Sequence, residues 1–218
     1  MKRAVITIAT TEYQQIHAIT EPRLQAYANQ VDADYIVVQE TQHDPPHFVK
    51  YDLIQIAAQS GYDQVLYVDA DIHIRQQAPN IFDRYKTSAV FNEIPFAPRG
   101  WVTSSIDWIK KHIDPSWPAN RYYNTGVMVL DGSAIHRLSM LLQRVEPLPG
   151  VFFEQEQLNV LLQDTDCPQE QLDQCWNQFC QYGWLTPEKA EAAFFLHVAG
   201  GPIEEKLDVV LQIVKDYP

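Results

Sequence analysis

Between residues 4 and 71 short apolar runs alternate with stretches of helical periodicity, and this alternation leaves the chain few folds. Residues 4–9 (AVITIA), 35–38 (YIVV) and 65–68 (VLYV) read as buried strands, and residues 21–30 and 50–60 as the helices between them. In the first helix Thr20 is the expected N-cap, Pro22 falls in the first turn, and Leu24, Tyr27 and Ala28 share a face. In the second, Leu53, Ile56 and Ala57 share a face, and Gly61 suits a left-handed stop. The repetition implies an α/β domain with a mixed, mainly parallel twisted sheet flanked by helices. Ligands of such sheets bind in loops beyond the carboxyl ends of the strands, here residues 10–12 after the first.

The third run continues as QVLYVDADIHIR, residues 64–75. Side chains two apart project to the same side of an extended chain, so a strand ending here would hold Asp69 and Asp71 together. Such a pair repels itself unless a positive charge lies between. A hard divalent cation supplies that charge and leaves positions open for a substrate phosphate. Far downstream a further apolar run, residues 192–198, delivers His197 beside Ala199, Gly200 and Gly201. Two carboxylates and an imidazole suit Mn²⁺ and admit Mg²⁺; the competing reading of His197 is a hydrogen-bonded core histidine. Neither a dinucleotide-binding G-x-G-x-x-G after the first strand nor a P-loop is present, so a phosphate would have to be held another way.

A length of 218 residues fits one domain, with a nucleotide-binding part over about residues 1–75 and the remainder over residues 76–218. The formal net charge of -12 argues against a nucleic-acid partner. The apolar part of the N-terminus is too short for a signal peptide, and no run reaches the length of a membrane span, so the expected location is cytoplasmic. Cys167, Cys175 and Cys180 lack metal-site spacing and read as free thiols.

Residues 43–47 (HDPPH) form a proline-broken connection. A strand at 88–91 leads into an irregular stretch, residues 95–118, with Trp101, Trp108 and Trp117 among prolines; it reads as a substrate-shaping insertion or as aromatic packing beneath a long loop. Residues 121–131, RYYNTGVMVLD, combine a polar turn at Asn124, Thr125 and Gly126 with a short strand. Residues 152–162 read as a buried helix with acids in its first turn, and residues 204–215 as an amphipathic helix with Leu207, Val210, Leu211 and Val214 in its stripe.

In their order along the chain, TIATTEY, LYVDAD, YYNTGVMVLD, EQEQLN, Cys175-Trp176-Asn177 and HVAG resemble the motifs of the family 8 glycosyltransferases, the group containing glycogenin and the lipooligosaccharide galactosyltransferases. The resemblance implies a single GT-A domain, a Rossmann-like fold. It implies a UDP-linked sugar as donor and retention of configuration, with a glycan, a lipid-linked sugar or a protein as acceptor. Its metal ligands would be Asp69, Asp71 and His197. Around the nucleotide it implies Ala9, Thr10 or Thr11, Tyr13, Lys50, Asp69, Ala70 and Gly200, and around the donor sugar Asn124 and Gly126. Glu154 and Gln155 would lie beside the reacting carbon, as charge stabilisers or, for Glu154, as a nucleophile. The chain departs from the family in carrying Glu154 and Glu156 for two aspartates and Ile203 for a diphosphate-binding lysine, with Lys206 nearby. A nucleotide-sugar hydrolase, a nucleotidyltransferase or an inactive sugar-nucleotide binder would use the same acidic strand end.

Overall fold

The computed structural model describes all residues except 40–45, 97, 98, 166, 182 and 184. Its centre is a six-stranded sheet containing β1 (Arg3–Ile8), β2 (Asp34–Val38), β3 (Gln64–Val68), β5 (Ala89–Asn92), β6 (Tyr123–Asp131) and β7 (Glu170–Gln171), in the order β2-β1-β3-β6-β5-β7. A three-stranded sheet, β4-β9-β8, is built from β4 (Ile72–Ile74), β8 (Gln178–Phe179) and β9 (Phe195–His197). In the large sheet β1 runs parallel to β2 and β3, β6 is antiparallel to β3 and β5, and β7 is parallel to β5. The mixed, mainly parallel sheet is as the strand–helix alternation implies.

Strand alternation sorts the core onto two faces. Ala4, Ile6, Val65, Tyr67, Met128 and Leu130 face a cluster completed by α2 (Val49–Ser60), α5 (Gly132–Leu142) and α6 (Gln155–Asp164), with Leu53, Ala57, Leu138 and Leu158 fully buried there. Val5, Leu66, Val68, Val127 and Val129 face the other way, onto Leu24, Tyr27 and Ala28 of α1 (Gln14–Gln30) and onto Phe82 of α3 (Ile81–Arg84). A side chain so buried contributes about 1.5–3 kcal/mol, which is why the central strands are near-continuous hydrophobic runs.

α2 ends as expected, with Gly61 at φ 66° and ψ 41°. α1 instead begins seven residues early, at Gln14, and carries Pro22 in its interior. Thr20 is therefore not an N-cap; its hydroxyl, inside the helix, donates to the Ala70 carbonyl at 2.8 Å. Burial of Ile16, Leu24 and Tyr27 outweighs the hydrogen bond that the proline removes. Within the expected connection at 43–47, residues 43–45 lie outside the described set, and Pro46–Phe48 form a short 3₁₀ turn.

Four further differences concern the second half. The stretch expected to be irregular contains α4 (Arg99–His112), whose Val102, Ile106 and Ile109 pack on Trp117 and Tyr122. The prolines that suggested irregularity flank this helix rather than interrupt it. Asn124, Thr125 and Gly126 form no turn but belong to the nine-residue β6, where the register with β5 jumps from Val90↔Met128 to Phe91↔Asn124. The last strand starts at Phe195, because Pro187–Ala192 form α7, capped by Thr186. In α8 (Ile203–Asp216) the buried residues are Lys206, Val210 and Ile213, while Leu211 is exposed. Cys167, Cys175 and Cys180 are all free thiols. Among the described residues no helix is long and apolar enough to cross a membrane.

Candidate active site

β3 ends at Val68, so Asp69 and Asp71 are not two positions of one strand; they sit on the turn that passes the chain from the large sheet to the small one. The turn is held by three bonds: Asp69 N–H to Gly126 O at 2.8 Å, Ile72 N–H to Asp69 O at 3.2 Å, and Thr20 on Ala70. Pairing of β4 with β9 sets Ile72 opposite His197, and Val198 N–H donates to Asp71 O. The imidazole thereby reaches the carboxylates, and ligand atoms of Asp69, Asp71 and His197 lie within 4.8 Å of one another.

The orientation of the His197 ring follows from a chain of hydrogen bonds. Gly126 N–H donates to Asn124 Oδ1, as does Asn177 Nδ2 at 2.9 Å, so the Asn177 oxygen must face His197 Nδ1, 2.7 Å away. An amide oxygen only accepts, so Nδ1 carries the hydrogen and Nε2 points at Asp71 Oδ1 (3.4 Å) and Asp69 Oδ2 (3.9 Å). Asp71 Oδ1 is itself buried with no hydrogen-bond partner. Nε2 facing two carboxylates, one of whose oxygens is orphaned, is a donor set that fits a divalent cation. Gly126 makes the approach feasible, because a Cβ there would stand 2.5 Å from His197 Cε1 and 2.8 Å from Asp69 Oδ2.

Two buried lysines flank the triad. Lys50, on the first turn of α2, lies 2.6 Å from Glu154 Oε1 and 3.4 Å from Asp69 Oδ1, and donates to Thr125 Oγ1 at 3.2 Å. Burial alone would lower its pKa, but Asp69 and Glu154 together raise it. Lys206, on the first turn of α8, lies 2.5 Å from Asp71 Oδ2 and 3.4 Å from the Tyr13 hydroxyl. Against its burial, Lys206 and His197 hold the Asp71 carboxyl well below the usual range.

The register jump in β6 turns Asn124 and Thr125 toward α6. Gln155 Oε1 accepts from Thr125 N–H at 3.0 Å and its Nε2 donates to Tyr122 OH at 2.9 Å. Asn159 replaces the missing strand partner, accepting from Tyr123 N–H and donating to Tyr123 O. Glu156 points away from the triad, accepting from Tyr122 OH and Phe152 N–H.

These elements enclose a cavity of about 400 Å³. Of the residues expected at the site, Thr10, Tyr13, Lys50, Asp69, Ala70 and Asp71 line it from the first half of the chain, and Asn124, Glu154, Gln155, His197 and Gly200 from the second. Three do not line it: Ala9 is buried with its N–H on Val38 O, Thr11 is exposed, and Gly126 lies behind His197. The sequence alone does not assign His47, Glu93, Trp101, Phe152, Phe153 or Phe179 to the site, yet all six line it. Their signal is weak because they come from separate segments with no shared spacing. Lys206 has one cue, its closeness to the position where Ile203 replaces a lysine.

No protein-family model matches the sequence, nor does any curated protein. The fold is similar to that of a glycosyltransferase involved in glycosylation of the major capsid of PBCV-1, with a TM-score of 0.69 and 16% identity over 97% of this chain and 100% of that one. It is also similar to the glycosyltransferase GlyE of Streptococcus pneumoniae TIGR4, with a TM-score of 0.57 and 16% identity over 100% of this chain and 63% of that one. The chain therefore has a GT-A-like glycosyltransferase fold, with the acidic turn and His197 at the carboxyl end of its central strands.

Proposed function

We propose that the chain is a glycosyltransferase akin to family 8, moving a hexosyl group from a UDP-linked sugar to an acceptor hydroxyl with retention of configuration. The observation that carries this reading is His197, whose Nδ1 hydrogen is committed to Asn177 while Nε2 faces the orphaned oxygen of Asp71. Asp69, Asp71 and His197 would hold Mn²⁺ or Mg²⁺, which supplies Lewis-acid stabilisation of the departing diphosphate. Lys206 adds a buried positive charge at the same edge, the role for which the family has a lysine at the position of Ile203. Thr10 and Tyr13 bind the nucleoside, and Asn124 the donor sugar.

The glycosidic C–O bond breaks with its electron pair leaving on the diphosphate. The acceptor oxygen bonds to the same carbon, and its proton departs with the diphosphate. Glu154 is charge-paired with Lys50, which suits a fixed negative partner for the developing positive charge better than a nucleophile. Gln155 holds the Asn124–Thr125 backbone in place through its carbonyl oxygen.

Incubation with Mn²⁺ and a panel of UDP-hexoses, with and without sugar acceptors, tests the reading. Acceptor-stimulated release of UDP is expected. Release of UMP would indicate a pyrophosphatase, and binding without turnover an inactive binder. Full activity in the Asp69→Ala, Asp71→Ala double variant would overturn the metal assignment.

A further inference from the structure

Part of the cavity wall is aromatic. Trp101, from the first turn of α4, and Phe153 are 40% and 42% exposed. The Trp101 and Phe152 rings lie 6.2 Å apart, and Phe153 stacks on His47 at 3.9 Å with 5° between the planes. Phe153 takes φ 57°, a left-handed conformation rare for an aromatic residue, and is held there by the Gly150 N–H bond to its carbonyl at 2.8 Å. Strain of this kind is retained where the side chain is needed in one place. The next two residues are Glu154 and Gln155, so the arc is fixed relative to the proposed reaction centre.

The charge pattern narrows the occupant. Both lysines lining the described cavity are paired with carboxylates, Lys50 with Glu154 and Lys206 with Asp71. Within this lining burial pushes the Glu93 carboxyl up to about 8 and lowers the His47 imidazole, so both are uncharged at neutral pH, while Glu154, Lys50, Asp69 and Glu12 act on His47 from nearby. Such a surface offers ring faces and neutral hydrogen-bonding groups, and its two described lysines are already charge-paired with carboxylates rather than free for a phosphate-bearing acceptor.

We propose that the arc of Trp101, Phe152, Phe153 and His47 is the acceptor subsite and takes a neutral pyranose, its apolar face on the rings and its hydroxyls toward Glu93 and Asn124. This rests on the glycosyltransferase reading above. Saturation-transfer NMR of the full chain with UDP, Mn²⁺ and methyl β-glucopyranoside or β-galactopyranoside tests it. Saturation is expected on the ring C–H protons of one sugar face. Trp101→Ala and Phe153→Gly are each expected to weaken glycoside binding about tenfold. Phe153→Gly relieves the positive φ while deleting the ring, and its UDP affinity should stay within about twofold, which separates a lost subsite from a lost fold.

The proposal is overturned if glycoside affinity is unchanged in both variants. It is equally overturned if saturation of octyl glucoside falls on the alkyl chain, or if N-acetyltyrosinamide binds more tightly than either glycoside. UDP binding without glycoside binding removes the acceptor proposal alone, whereas failure to bind UDP removes the glycosyltransferase reading with it.

Discussion

The side-chain oxygen of Asn177 lies 2.7 Å from His197 Nδ1 and so decides which imidazole nitrogen faces Asp69 and Asp71. Outer partners of metal-bound histidines typically set metal affinity by about 10–100-fold, and Asn177→Ala is expected to weaken Mn²⁺ binding by that much. Asn177→Asp, which keeps an acceptor on Nδ1, should retain binding. Isothermal titration with Mn²⁺ alone reads both; equal affinities in wild type and Asn177→Ala would remove Asn177 from the site.

Gly126→Ala places a methyl group 2.5 Å from His197 Cε1, 2.8 Å from Asp69 Oδ2 and 3.0 Å from Asn124 Oδ1. All three neighbours are buried or held by other bonds, so the strain should cost about 1–3 kcal/mol and move two metal ligands apart. Urea unfolding and Mn²⁺ titration should both register the change. A variant with wild-type stability and metal affinity would mean that β6 yields at its register jump.

The parts of this molecule legible in the sequence are those whose signal is local. Residues 4–6 and 65–68 are apolar because they are buried on both faces, α2 has a regular stripe and Gly61 a required φ, and Asp69 and Asp71 stand two residues apart. Tertiary signals are not legible. Thr20 resembles a cap only when its bond to Ala70 O is unknown, and Asn124, Thr125 and Gly126 resemble a turn only when Asn159 is not seen completing the strand. Lys206 returns to the acidic turn from the last helix, a pairing across 135 residues that no local pattern announces. The aromatic arc joins α4, the segment before α6 and the turn before α2, which no periodicity connects.

Lys206→Met tests whether the α8 ammonium serves the diphosphate. The change leaves Asp71 without its 2.5 Å partner, so Mn²⁺ affinity should hold or rise as a competing cation is removed. Affinity for UDP with Mn²⁺ should fall about tenfold, the worth of one charge-assisted hydrogen bond. Parallel loss of both affinities would instead mark Lys206 as a purely structural counter-ion of Asp71.

Glu93 gives the stability curve a pH dependence of its own. Burial, with Glu156 adding repulsion and Asn124 opposing through a hydrogen bond, raises its carboxyl from 4.5 to about 8. The neutral form is thus favoured by folding. Its contribution is complete below pH 4.5, declines as the unfolded chain ionises while the folded one stays protonated, and stops changing above about pH 8. Glutamine cannot ionise, so Glu93→Gln should match wild type near pH 4.5. At pH 8 it should be the more stable by a few kcal/mol, since each tenfold weakening of the acid is worth about 1.4 kcal/mol. Urea denaturation of both proteins at about pH 5, 7 and 9 measures the difference, in which the titrating groups not coupled to Glu93 cancel. A gap that does not widen across that range would show that the Glu93 carboxyl ionises normally in the folded chain, and the cavity wall beside Asn124 would then carry a negative charge.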